Sequence, residues 1–365
     1  MAASIKIALA NVLLGIAGLV WLAALYRGFA RPPRALILVV PVAAYAILSV
    51  LSAILSADPR HSVTELADLL TLTLVPMTVS LLDQKRWGWL LRLMAAVLVV
   101  SAITGLVQFA LGGDPLQHRM RGLATHYMTF SGWTLVVTLL LLGDVFFAPE
   151  RRRLLWTLPV AALGVSTLLL GLTRGAWIGL ATGVLLAVAV GRPRALILLP
   201  VVASLLYLAL PQPVLKRATT TFDLHETATR ERLDMFSSGV EMARDNPILG
   251  LGPGLVQPAY AHYRRGRSPE KIPHLHNNAI QITAERGVAG LLAYLTILGV
   301  FGLHAWRALQ TSPSVARPVA VGCLMAVAGV TMAGLFEYNW GDAEVWIVTL
   351  VSLSAPFALV PRRVV

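Results

Sequence analysis

Apolar residues run in blocks of about 20 along most of the chain, separated by short polar or basic segments. A block of that length crosses the hydrocarbon of a bilayer as a helix. The pattern predicts spans near 7–26, 35–56, 66–82, 87–111, 124–147, 154–172, 175–191, 194–210, 287–307, 317–336 and 343–360. The expected fold is therefore all-α, a polytopic transmembrane helical bundle of about 11–12 spans. One segment breaks the rhythm. Residues 211–275 are too long for a tight connection and are rich in charge, Pro and Gly. Within them "ATRERLDMFSSGVEMARDNPILGLG" has helical periodicity at Leu233, Phe236, Val240 and Met242 and ends at "DNP". The expected organisation is an N-terminal bundle over 1–210, a large external, partly helical loop domain over 211–286, and C-terminal helices over 287–365.

The connecting segments alternate in charge. "RGFARPPR", "DQKRW", "PERRR", "GRPRA", "WRALQTSPSVARP" and "VPRRVV" are basic, whereas "SADPRHSVTE" and "FEYNWGDAE" are acidic or mixed. Lys and Arg collect in cytoplasmic loops, so the first set is expected inside and the second outside, together with 211–275. This leaves residues 1–6 outside and an odd number of spans. Either one span is miscounted or a further helix lies upstream, and no cleavable signal is convincing.

Composition agrees with a membrane class. Of 365 residues 57% are hydrophobic and 13% charged, and mean hydropathy is +0.73. Soluble domains carry about 25% charged residues. The net charge of +12 is explained by the basic inner loops. Nucleic-acid binding is not expected, because no basic stripe with interleaved aromatics appears. Cys323 is the sole cysteine and lies in an apolar block, which excludes disulfides and thiolate metal sites within one chain.

Candidate chemistry gathers where polar groups meet membrane. "HLHNNAIQITAERGVAG" places Asn277, Gln281 and Glu285 at i, i+4 and i+8, one polar stripe on a helix. Gly287 and Gly290 follow at i, i+3, a small-residue spacing that lets another helix approach. The plain alternative is a helix start with capping asparagines and a packed glycine pair. Glu285 stands either as a partner of His276 or as an interfacial charge. In "LTRGAWIG", Arg174 sits where the chain turns back at the outer surface. It is either a snorkelling side chain or a fixed guanidinium suited to phosphate. Arg230, Arg232, Arg264, Arg265 and Arg267 in the external loop, and Arg119 and Arg121 in "HRMRG", are candidates for a basic cavity or ordinary solvated charge. No Walker loop, Asp-rich metal motif or nucleophile elbow is present. The two imidazoles of "HLH" have no carboxylate nearby in sequence, so a zinc site is not expected.

These stretches resemble the bacterial O-antigen ligase family. "HNNAIQITAERGVAG" is similar to its His-Asn, nine residues, Gly-x-x-Gly signature. "LTRGAWIG", the loop "RLDMFSSGVEMARDNPILGLGPG", "HRMRG" and "SADPRHSVTEL" extend the likeness, in order, from about residue 45 to 300. The resemblance implies a metal-independent, cofactor-free, inverting glycosyl transfer on the periplasmic face of the bacterial inner membrane. It also implies about twelve spans, one more than the pattern predicts. The implied donor is a glycan on undecaprenyl pyrophosphate and the implied acceptor a lipid A–core oligosaccharide, both met at the level of membrane lipids. By position, His276, Arg174 and Arg232 are expected to be catalytic: the imidazole as base, the guanidiniums on the pyrophosphate. Arg230, Asn277, Arg119, Arg265 and His274 are expected to bind substrate, with Gly287 and Gly290 as structural motif. An O-antigen polymerase or protein O-oligosaccharyltransferase fits the same signature. A transporter of an anionic solute would use similar arginines, but shows internal repeats that this chain lacks.

Overall fold

The computed structural model describes residues 2–112, 118–148, 150–191, 193–198, 211–219, 223, 226–264, 272, 274–311 and 316–360. Among them every regular element is helical. Helices α1 (Ala2–Tyr26) and α2 (Leu36–Ile54) precede a stretch in three parts: α3 (Pro59–Thr64), a 3-10 segment (Glu65–Thr73) and α4 (Leu74–Leu81). Next come α5 (Gln84–Leu111), α6 (Tyr127–Phe147), α7 (Arg151–Leu170), α8 (Arg174–Gly191) and a 3-10 turn (Pro193–Leu198). Then follow α9 (Gln212–Thr219), α10 (Thr227–Asp245), α11 (Val256–Tyr263), α12 (Asn278–Thr311), α13 (Arg317–Ala333) and α14 (Ala343–Leu359). Counting Pro59–Leu81 as one, seven helices are long and apolar enough to cross a membrane; Asn11–Tyr26, α13 and α14 are shorter apolar helices. The molecule is a polytopic helical membrane protein.

The expected spans coincide with these helices except near 194–210, where 199–210 lies outside the described residues. Two boundaries move. The span expected from 66 begins at Pro59, because Asp58 caps the helix by accepting the His61 N–H at 3.1 Å. The span expected from 287 begins at Asn278, because the motif segment is itself helical. Asp83 starts α5 in the same way as Asp58, accepting the Arg86 N–H at 2.8 Å.

The chain forms two compact units, each drawn from distant parts of the sequence. One comprises Asp83–Asp223, Ala305–Ala333 and Leu359–Val365. Its centre is α6, buried along much of its length and packed by α7, α8 and α13. Small residues set these approaches: a Cβ on Gly143 would meet the backbone of Gly322, and one on Gly179 the carbonyl of Gly329. Asp144, buried in α6, pairs with Arg153 of α7.

The other unit comprises Met1–Leu82, Leu224–His304 and Gly334–Ala358. Its defining feature is a break in α12. At Gly287 φ is +65 and ψ is −170, a region open essentially to glycine alone. The break strips intrahelical partners from nearby backbone groups, and the loop after α10 replaces them. The N–H groups of Leu251 and Gly252 donate to the carbonyls of Ala284 and Glu285 at 2.8 and 2.9 Å. The N–H groups of Val288 and Ala289 donate to Pro247 and Ile248 at 2.8 and 3.3 Å. The Ser52 hydroxyl of α2 reaches the carbonyls of Leu249 and Glu285 at 2.7 and 2.8 Å. A Cβ on Gly287 would collide with the Ile248 carbonyl, and one on Gly250 (φ +70) with the Glu285 backbone. The Gly287/Gly290 spacing therefore does not admit a second helix, as the sequence pattern suggested. Loop backbone enters at Gly287, and a Cβ on Gly290 would meet Arg286 of the same helix.

The face of α10 also differs from expectation. Leu233 and Phe236 are exposed, while Met235, Ser238, Gly239 and Met242 are buried. Gly239 is where Leu275 and Ile280 press in, so the small-residue side packs. Met235 and Met242 join Val256, Tyr260, Ile272, Leu275 and Ala284 in one core beneath the motif.

Substituting Gly287→Ala is expected to lower stability by at least about 3 kcal/mol, from a forbidden backbone region and a backbone collision. Gly299→Ala, with nothing within 4 Å of the new methyl, is expected to stay within about 1 kcal/mol of wild type. Thermal unfolding of the purified variants in detergent checks both. Equal melting temperatures would contradict the role given to the break.

Candidate active site

His276 stands immediately before Asn277 and α12 with φ +51, a left-handed conformation rare outside glycine. Amides just after it hold the turn. Asn277 caps α12, its Oδ1 accepting the Ile280 N–H at 3.0 Å while its Nδ2 donates to the Leu335 carbonyl at 3.0 Å. The Asn278 N–H donates to the Gly334 carbonyl at 2.7 Å. Its side chain donates to Asn339 Oδ1 at 2.7 Å and accepts the Trp340 N–H at 3.1 Å. Residues 334–340 are thereby clamped onto the start of α12. Asn277, expected to bind substrate, has both amide atoms engaged in that clamp.

The clamp sets Glu337 against both imidazoles. One carboxylate oxygen lies 3.1 Å from His276 Nδ1 and the other 3.3 Å from His274 Nε2. The rings meet edge to face with centroids 4.3 Å apart. Burial alone would push the Glu337 carboxyl up. The hydrogen bond from His276 and the charges of His276, His274 and Arg232 outweigh it and hold the group below its ordinary value of 4.5. Glu337 is therefore an anion, able only to accept, and it draws the His276 Nδ1 proton toward itself. His274 has both ring nitrogens engaged, Nε2 with Glu337 and Nδ1 accepting the His276 N–H at 3.4 Å. The Nε2 of His276 has no partner among the described residues, on a side chain 19% exposed.

The polar stripe of α12 forms the wall beside this cluster. Gln281 accepts the Leu275 N–H at 2.8 Å and donates to Glu285 at 2.8 Å. Glu285 also accepts the Gly254 N–H at 3.1 Å and pairs with Arg286, whose Nε donates to Ser49 at 2.9 Å. The partner of His276 is thus Glu337, and Glu285 is a buried structural charge. Arg232 on α10 is the arginine whose charge acts on Glu337, while Arg230 points to solvent.

His274, His276 and Glu337 present three ligand atoms within 4.8 Å of one another, a donor set a divalent ion accepts. The sequence argument against a metal rested on two histidines with no carboxylate near them. Glu337, sixty-one positions beyond His276, removes that premise. It is also the site residue the sequence reading missed. Its segment was legible as external and acidic, but nothing local tied it to "HLH".

The remaining candidates lie in the other unit. Arg174 opens α8 just after Leu172, which has φ +54. It is 8% exposed, with its Nε 3.4 Å from the Arg217 carbonyl of α9. Arg119 lies over the Tyr127 ring, 4.5 Å from its centroid. With His118, Arg121 and His126 it lines a cleft of about 710 Å³. Gln108 fixes that rim by accepting the N–H groups of Arg121 and Gly122 at 2.9 and 3.0 Å. Arg265 lies outside the described residues.

Residues 159–295 match the family model described as O-antigen ligase. The match takes in Arg174, Arg230, Arg232, His274, His276 and the Gly287/Gly290 pair, and stops before Glu337. No curated protein matches the chain. Through this segment, a little over a third of its length, the chain is similar to the O-antigen ligase family.

Proposed function

We propose that the chain transfers a glycan from undecaprenyl pyrophosphate to a hydroxyl of a lipid A–core oligosaccharide, on the periplasmic face of the bacterial inner membrane. The observation that carries the reading is the orientation of His276: Nδ1 on an anionic carboxylate, Nε2 unengaged. That is the arrangement a general base requires. His276 Nε2 takes the proton of the acceptor hydroxyl as its oxygen attacks the anomeric carbon. The bond from that carbon to the phosphate oxygen breaks, and its electron pair leaves with the pyrophosphate. A single back-side displacement inverts the configuration. Cations aimed at the leaving oxygen stabilise the charge that develops there. We assign this chemistry to Arg232, whose charge acts on Glu337; Arg174, expected by position to serve the pyrophosphate, is buried at the start of α8. The charge alternation supports the periplasmic placement. Arg232, His274 and His276 come from the loop domain 211–286 and Glu337 from "FEYNWGDAE", both of which that rule puts outside.

Transfer from an undecaprenyl-pyrophosphate glycan to purified core lipid tests the reading. His276→Ala is expected to lose roughly 10²- to 10⁴-fold in kcat, and Arg232→Ala and Arg174→Ala to lose comparably, with Arg230→Ala milder. Full transfer by His276→Ala would remove the base assignment. Sugar appearing on a lengthened carrier-linked chain instead of core lipid would make the enzyme a polymerase.

The pH dependence has a defined sign. Glu337 has a lowered folded pKa, so its contribution is present above pH 4.5 and is lost only as pH falls through the lower value. Loss of transfer on acidification above pH 4.5 is therefore not the titration of Glu337, and Glu337→Gln should lower the plateau by about tenfold or more. An acid limb that disappears in Glu337→Gln would assign it to the carboxyl instead.

We further propose that the chemistry runs without a metal, since each Glu337 oxygen meets a ring nitrogen directly. Transfer is expected to survive EDTA, with no stoichiometric ion in the purified protein. Loss in EDTA with recovery on adding zinc would turn the His-His-Glu cluster into a metal centre.

A further inference from the structure

Beside the imidazoles, within the same unit, lies a cavity of about 210 Å³. It falls below the roughly 300–1,000 Å³ of sites for drug-sized ligands, so it has room for one ring rather than an oligosaccharide. Its lining includes the imidazoles of His61 and His274, the amides of Gln257 and Gln281, and two further groups. Carboxylates come from Glu65 and Asp68 in the 3-10 segment and from Glu285; aromatic surfaces come from Tyr45, Tyr338, Trp340 and Trp346. The one arginine among the described lining residues, Arg286, is already paired with Glu285 and bonded to Ser49. Neither Glu65 nor Asp68 has an ion pair among the described residues.

The polar groups point to a ligand. Trp346 is 4% exposed, and its indole N–H has no acceptor among the described residues, an arrangement that costs free energy unless something supplies one. Burial pushes the Tyr338 phenol well above its ordinary value, as does the Glu285 charge, so it stays a neutral donor. A phosphate would meet Glu65 and Asp68 here while the lining guanidinium is already paired, and like charges at close range cost several kcal/mol. Hydroxyls suit carboxylate and amide acceptors and an indole donor, and the C–H face of a pyranose suits aromatic rings. His274 lines this cavity, and its ring centroid is 4.3 Å from that of His276. A ring seated here lies against His274, next to the proposed base.

We infer that this cavity seats the accepting sugar ring and selects a ring without phosphate or carboxylate, favouring one that carries an amine. The inference rests on the glycosyl-transfer reading above and adds to it what the acceptor must be. The two carboxylates repel an anionic substituent and attract an ammonium group. The indole N–H and the phenol bond the ring oxygens.

Direct binding separates this inference from the catalytic one. Methyl glucosaminide, methyl glucoside and methyl glucuronide are titrated at roughly millimolar levels into the full chain in nanodiscs, read by ligand-observed NMR. The expected order is glucosaminide, then glucoside, then glucuronide, with about tenfold between the first and last. Glu65→Gln with Asp68→Asn should erase the preference for the amine. Trp346→Phe, which keeps an aromatic face but removes the N–H donor and part of the ring, should weaken all three sugars by several-fold. His276→Ala should bind them as wild type does while failing to transfer. Glucuronide binding as tightly as glucosaminide would overturn the inference. So would an unchanged order in the double variant, or no binding of any sugar. Retained transfer in His276→Ala with the expected sugar order would overturn the base assignment and leave the cavity standing.

Discussion

A helix inside a membrane protein cannot be broken without finding new partners for the backbone groups it releases, since an unsatisfied amide in a dry interior costs several kcal/mol. The break at Gly287 meets this demand with one loop. Pro247 and Ile248 offer carbonyls below the break, and Leu251 and Gly252 offer N–H groups above it. Much of the unit around the break follows. The loop must come close, so Gly250 and Gly287 carry no side chain. It must be held, so Ser52 of α2 bonds both partners. The segment before the break becomes a short helix whose polar stripe meets protein rather than lipid.

That stripe explains why so many ionisable groups sit at a membrane boundary without disorder. Gln281, Glu285, Arg286 and Ser49 form one chain of hydrogen bonds in which each buried charge has a counter-charge or several donors. Charges buried in this way are tolerated because they are paired, not because they add much stability. Their use is positional. They fix the wall against which residues 274–276 turn, and a left-handed non-glycine residue at His276 persists only in such an over-determined setting.

Membrane class and helix positions were legible in the chain itself, because bilayer thickness acts on local composition. The motif around His276 was legible too, since its residues are neighbours in sequence. The purpose of its glycines was not. A small-residue spacing reads as helix packing, and only the approach of Ile248 shows that loop backbone enters there. The buried face of α10 was misjudged for a related reason: periodicity weighs side-chain size, whereas Gly239 makes room for Leu275 and Ile280. Glu337 could not be assigned from sequence at all, nor could His276 be separated from His274 by chemistry alone. Both depend on a contact between residues sixty-one positions apart, and contacts across that distance are decided by packing, which leaves no local signature in either segment.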